Sequence, residues 1–179
     1  MADAKPRTQP QPQTRPKSAG FWPFCLAHYA HPGVEAACLA LQDRHHGNVN
    51  LALLLHWLDT QALLLPEDGL AQLDEALKDT DALLTSYRAM RRALKPRLDP
   101  AGYQQLLNFE LTLEQRQQQA LLTQLSQLPL RPAAFSGSPR QCGGNLHEDN
   151  SNLHEYGRHL GLPSALLQQL RGEQHKDSP

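Results

Sequence analysis

Histidine is the residue with the most chemistry to offer in this chain, and several of its nine copies fall close together. His28 and His31 are three apart, and His45 and His46 are adjacent. Imidazole is a common zinc ligand, and ligands that share a helix usually sit three or four residues apart. The first pair has that step, but Pro32 follows at once and points to a helix end. No HExxH and no Cys-x-x-Cys accompanies them. Metal binding through His28, His31, His45 and His46 is therefore the weakest of three functional readings. It stands behind the plainer account of histidines at helix ends, where a protonated ring suits the C-terminal dipole. No cofactor is expected.

His56 is a sharper case. It lies inside "NLALLLHWL", residues 50–58, an otherwise apolar run, with Asp59 one turn further on. An imidazole held by a carboxylate is a general-base arrangement. A buried histidine bonded to one neighbour is the commoner thing, and no partnered nucleophile stands nearby. Trp22, Tyr29, Asn50, His56 and Trp57 form the candidate lining of a ligand or substrate pocket; the Asn50 amide, just inside the helix, needs buried partners. No catalytic residue is assigned. The chain has no Gly-rich phosphate loop, no nucleophile elbow and no paired Asp-rich magnesium motif. The basic cluster from Arg88 to Arg97 reads as a solvated helix end, because the acids of that helix sit in its first half and so oppose the macrodipole. "NLHE" recurs at 145–148 and 152–155, but the "EDNSN" between reads as a turn and a fresh N-cap at Ser151 or Asn152, which leaves chance or duplication.

The elements that must position these groups are helices. Phe21, Trp22 and Phe24 open the ordered chain, with Pro23 in a first turn. Val34, Ala37, Cys38 and Leu41 keep helical spacing, and Gly47 stands where a left-handed cap is expected. Asn48 is a predicted N-cap for a helix that is apolar on nearly every side, hence central, and that runs to Pro66. A long helix over roughly 67–94 and another opened by Asp99 and Pro100 are joined by a short connection, which makes them antiparallel neighbours. Two short helices follow near the C-terminus, broken near Gly161. The fold class is all-α: one bundle of about five or six helices around a buried central helix near 48–65. The expected organisation is a disordered Pro/Gln/basic tail at 1–19, a helical core domain at 20–130 and a flexible linker at 131–146. Short C-terminal helices packing on the core at 147–172 and a disordered end at 173–179 complete it.

The totals exclude some classes. Seventeen basic against eighteen acidic residues give a formal charge of −1 and no global pull toward nucleic acid or anionic lipid. No run reaches the roughly 18 apolar residues of a membrane span, and the N-terminus has no apolar signal region. Three cysteines make a poor disulfide framework and favour a reducing, cytoplasmic setting; Cys25 and Cys38 read as core fillers and Cys142 as exposed.

"FWPFCLAHYAHPGVEAACLALQDRHHGNVNLALLLHWL", with "YRAMRRALK" (87–95) and "NLHEYGRHLGLP" (152–163) as later landmarks, resembles a bacterial, mostly proteobacterial, domain-of-unknown-function family of small helical proteins. The resemblance runs over about residues 21–171. It implies a helical fold and a bacterial setting, and brings no established activity or catalytic residues. The leading functional expectation is a non-enzymatic cytoplasmic adaptor or regulatory protein with an unidentified protein partner. An enzyme or small-ligand binder using the pocket around Asn50 and His56 is the alternative.

Overall fold

The computed structural model describes residues 16, 18–133 and 151–173. Expectations for residues 1–15, for Cys142 and for the first "NLHE" copy fall outside them. Seven α-helices appear among the described residues, with one two-residue ladder, so the fold is all-α. They are α1 (Phe21–Tyr29), α2 (Val34–His45), α3 (Val49–Thr60), α4 (Gly69–Leu94), α5 (Pro100–Leu125), α6 (Asn152–Leu160) and α7 (Ser164–Leu170). No described helix is long and apolar enough to cross a membrane.

α3 is the central element, as its composition demands. Leu51, Leu54, Leu55 and Leu58 are fully buried, with α1, α2, α5 and α6 all packed against it. Each such leucine contributes about 1.5–3 kcal/mol through burial. The predicted cap is present: Asn48 takes an extended backbone and its Oδ1 accepts from the Leu51 N–H at 2.9 Å. The helix ends at Thr60 rather than at Pro66. There the Trp57 carbonyl accepts from Thr60 Oγ1 (2.7 Å) and Gln61 Nε2 (3.1 Å), and Ala62 turns left-handed at φ 53°. Side chains that compete for the last carbonyls close the helix before the proline is reached. Leu63–Leu64 (β1) then pairs antiparallel with Arg131–Pro132 (β2), a ladder for which the sequence carried no signal.

The Gly47 expectation is corrected. The left-handed cap of α2 is His46, at φ 54°. Glycine is required next door because a Cβ at position 47 would collide with the side chains of Leu41 and Leu160.

α4 and α5 form the expected antiparallel hairpin. Asp99 caps α5 through the Gly102 N–H at 2.7 Å, and Pro100 occupies the first position. Burial along α4 ends at Leu84, and along α5 it begins at Glu110. The tip of the hairpin therefore projects some 15 Å past the core, at 1.5 Å per residue. Exposed Met90 and Phe109 lie on this arm, and exposed Leu83 at its base. On the other side α6 packs on α3 and α7 on α2. Ser151 caps α6 through the His154 N–H at 3.1 Å, and Gly161 ends it in the left-handed region.

Candidate functional site

The projecting hairpin leaves a cleft of about 970 Å³ between itself and α1–α2, with the N-terminal end of α3 as its floor. Two local features of the sequence and one long-range contact build this floor. The N-cap fixes Asn48, Asn50 follows two residues later, and the Gln-rich run of α5 brings Gln117 and Gln118 against them. Gln117 is 1% exposed and Gln118 6%, so these amides must find partners.

They find each other, in a chain with a definite direction. Asn48 Oδ1 is committed to the Leu51 N–H, so Asn48 Nδ2 donates outward, to Asp81 Oδ1 (2.6 Å) and Gln117 Oε1 (3.1 Å). Asn50 Nδ2 donates to the same Gln117 oxygen at 2.8 Å, which leaves Asn50 Oδ1 to accept from Gln118 Nε2 at 2.8 Å. Gln118 Nε2 also reaches the Cys25 sulfur at 3.7 Å.

The hairpin wall is charged. Arg88 bridges Glu110 (3.1 Å) and Glu114 (2.8 Å), and Arg91 pairs with Glu110 and donates to the Tyr103 hydroxyl. Glu110 is only 8% exposed, so the two guanidinium groups are what permits a carboxylate there. This corrects the reading of the Arg88–Arg97 cluster as a solvated end: its first two arginines are part-buried and spent on α5, and Arg92 meets Asp43 of α2 at 3.4 Å. The opposite wall, on α1 and α2, has Leu26, Tyr29 and Leu39 exposed at its lip, with Glu35, Gln42 and Asp43 among them.

Burial pushes the thiols of Cys25 and Cys38 up to about 12. Both are therefore protonated at neutral pH and poor nucleophiles. Burial first, then the fields of Cys38, Glu35 and Glu114, raises the Tyr29 hydroxyl to about 12 as well. The cleft holds good binding groups, and its two thiols and the Tyr29 hydroxyl are kept in their protonated forms.

Of the five residues expected to line a pocket, Trp22, Tyr29 and Asn50 border this cleft. His56 and Trp57 lie on other faces of α3, toward α1. Trp57 packs on Phe21 at 5.3 Å between ring centroids. His56 lies against His28 (4.5 Å) and Phe24 (5.8 Å), and burial, aided by the fields of His28, Arg171 and His31, lowers it to about 4. Asp59 is not its partner, because that carboxylate accepts from the N-terminus of α6.

His28 is not an exposed helix-end histidine. It is 6% exposed, and its Nε2 donates to the Leu170 carbonyl at 2.7 Å. His31 lies beside it, with ring centroids 5.5 Å apart. His45 and His46 stand at the far end of α2, roughly 18 Å along its twelve residues. Among the described residues no three His, Cys, Asp or Glu side chains converge as a metal site would require.

The sequence reading missed Gln117, Gln118, Asp81, Arg88 and Glu110. A glutamine in "EQRQQQ" looks the same whether it faces solvent or a buried amide. The one available signal was periodic: Gln117 is four residues from both Leu113 and Leu121, on the apolar stripe of α5.

No curated protein and no solved structure matches the chain. One family does, over residues 20–121, and every described residue that lines the cleft falls inside that span, whereas α6 and α7 fall beyond it. The match covers more than half of the sequence, and the chain belongs to the family described as protein of unknown function, DUF2390.

Proposed function

We propose that this protein is a non-enzymatic binding protein that holds its ligand in the cleft between α1–α2 and the α4–α5 hairpin. One observation carries the reading: a concavity of about 970 Å³ has a floor of buried amides where an inert bundle would have leucines. Ligand cavities of ordinary size combine apolar walls with a few fixed polar groups, and this one has Leu26, Leu39 and Leu53 facing Asn50, Gln118 and the arginine–glutamate wall. Protonated thiols and a raised tyrosine favour binding over catalysis.

Trp22 lines the cleft and Trp57 is sealed elsewhere, so a Trp57→Phe variant makes Trp22 emission a reporter of occupancy. Screening amines, acids and alcohols of graded size should yield a subset that changes the emission and raises the melting temperature. Ala30→Phe, which narrows the mouth, should abolish both effects. A screen in which no compound class moves either signal overturns the reading.

The adaptor reading is favoured by a separate observation, the exposed Leu83, Met90 and Phe109 at the base and along the projecting arm. Exposed apolar side chains on a projecting element are a common feature of protein contacts. A partner captured by the wild type and retained by a Phe109→Ser/Leu83→Ser variant would remove that support.

A further inference from the structure

We infer that the cleft selects a small organic cation that donates hydrogen bonds, an ammonium or guanidinium on an apolar body. The inference rests on the binding reading above and names the class of ligand. Two independent observations lead to it, one from hydrogen-bond direction and one from charge.

The amide chain runs one way because its first member has no choice. Asn48 Oδ1 is held by a backbone N–H, and each later amide must follow. The last oxygen in the series, Gln118 Oε1, accepts nothing among the described residues. Gln118 is 94% buried, yet no buried side-chain oxygen or nitrogen lacks a partner, so this oxygen reaches open space, and the space Gln118 borders is the cleft. A carbonyl held in a fixed direction and opening on the cleft at the end of such a chain calls for a donor.

The charges agree. Glu35, Asp43, Asp81, Glu110 and Glu114 line the cleft against three guanidinium groups. Ion pairs account for Asp43, Glu110 and Glu114. Glu35 and Asp81 have no cationic partner among the described residues; Asp81 accepts only from the neutral amides of Asn48 (2.6 Å) and Gln117 (3.4 Å). The N-terminal ends of α2 and α3 offset about half a charge each. Counted with the lining His46 neutral, the cleft is then left with about one negative charge, beside the rings of Trp22 and Tyr29, which also attract a cation.

The test uses three probes of matched size: phenethylamine, phenethyl alcohol and phenylacetate, titrated into the full chain carrying Trp57→Phe and followed by Trp22 emission. The amine should bind at least about tenfold more tightly than the other two, the ratio expected when one uncompensated charge and one donor–acceptor pair are added. Glu35→Gln, at an exposed position, should weaken the amine about fivefold and leave the alcohol unchanged; Asp81→Asn, with circular dichroism confirming the fold, should do the same. Equal affinity for the three, or preference for the acid, overturns the cationic class and leaves the binding reading standing. A Glu35→Gln variant that binds the amine as well as wild type also overturns it. Failure of all three probes to move either the emission or the melting temperature removes both.

Discussion

Two buried polar clusters sit at the two ends of α3, and they are built in opposite ways. At the C-terminal end the Asp59 carboxylate receives the Asn152 N–H (2.8 Å), the Asn152 side-chain amide (2.7 Å) and the Leu153 N–H (3.1 Å). Asn152 then uses its own oxygen on the Leu65 N–H (2.9 Å) and its amide on the Leu63 carbonyl (2.8 Å). That network closes on itself, and it welds α6 to α3 by placing an anion at a helix N-terminus. At the N-terminal end the Asn48–Asn50–Gln117–Gln118 series stops on an unused oxygen at the edge of a cleft. A closed network serves the fold. An open one of the same residue types is available to something outside the fold, and the difference is visible only when each lone pair and each proton is followed to its end.

The comparison is easiest to break at the closed end, where the largest effect is expected. Asp59→Ala strands two backbone N–H groups of α6 and the Asn152 amide in a site 8% exposed. The cost should be about 3–4 kcal/mol, or a melting temperature roughly 10 °C lower. Hydrogen exchange should show the loss of protection concentrated in α6 and α7, with α4 and α5 little affected. Uniform loss across all helices would mean that Asp59 serves the core in general and not the docking of the C-terminal pair.

Acidification acts on the same side by another route. Burial lowers His56 to about 4 and also lowers His28, which pins α7 through Leu170. Free histidine in the unfolded chain titrates near 6.5. Between these values the unfolded chain takes up protons that the native state refuses, so stability is complete above about pH 6.5 and is lost as pH falls toward 4. Asp59, raised by burial, works in the opposite sense: its contribution is present at low pH and declines as pH rises through its folded value. The histidines should dominate from pH 6.5 to 4.5, where His56 alone accounts for on the order of 2–3 kcal/mol. Melting temperatures across that range should fall for wild type and fall distinctly less for His56→Phe, whose ring replaces an imidazole that makes ring contacts with Phe24 and His28. Parallel slopes for the two proteins would show that the imidazole takes up its proton alike in the folded and unfolded chains and that some other group sets the acid limit.

What could be read in the sequence follows the range of the interaction responsible. Asn48, Asp99 and Ser151 were legible as caps because a cap is a contact over two or three residues. α3 was legible as central because burial on all sides leaves its mark on every position. Asp59 was misread as a neighbour for His56, since only the next turn is in view in a sequence, whereas its partners are 93 and 94 residues away. Arg88 and Arg91 looked like a solvated helix end for the same reason: the carboxylates they meet lie on the next helix. The cleft itself is the space left when a hairpin outgrows its core, and no single residue encodes that.

The smallest effect tests the open end most directly. Asn50→Ala removes the donor to Gln117 and the acceptor for Gln118. Counted as lost hydrogen bonds between buried groups, the change resembles Asp59→Ala. The two orphans differ in where they can turn. Gln117 keeps the Asn48 amide at 3.1 Å, and Gln118, whose oxygen already reaches the cleft, can offer its amide to water there. Rehydration should hold the cost near 1 kcal/mol, the net worth of an ordinary hydrogen bond, with a melting temperature only a few degrees lower. A loss as large as that of Asp59→Ala would mean that water does not reach the amides from the cleft. The floor would then be as sealed as the α6 junction, and the distinction between the two ends of α3 would disappear.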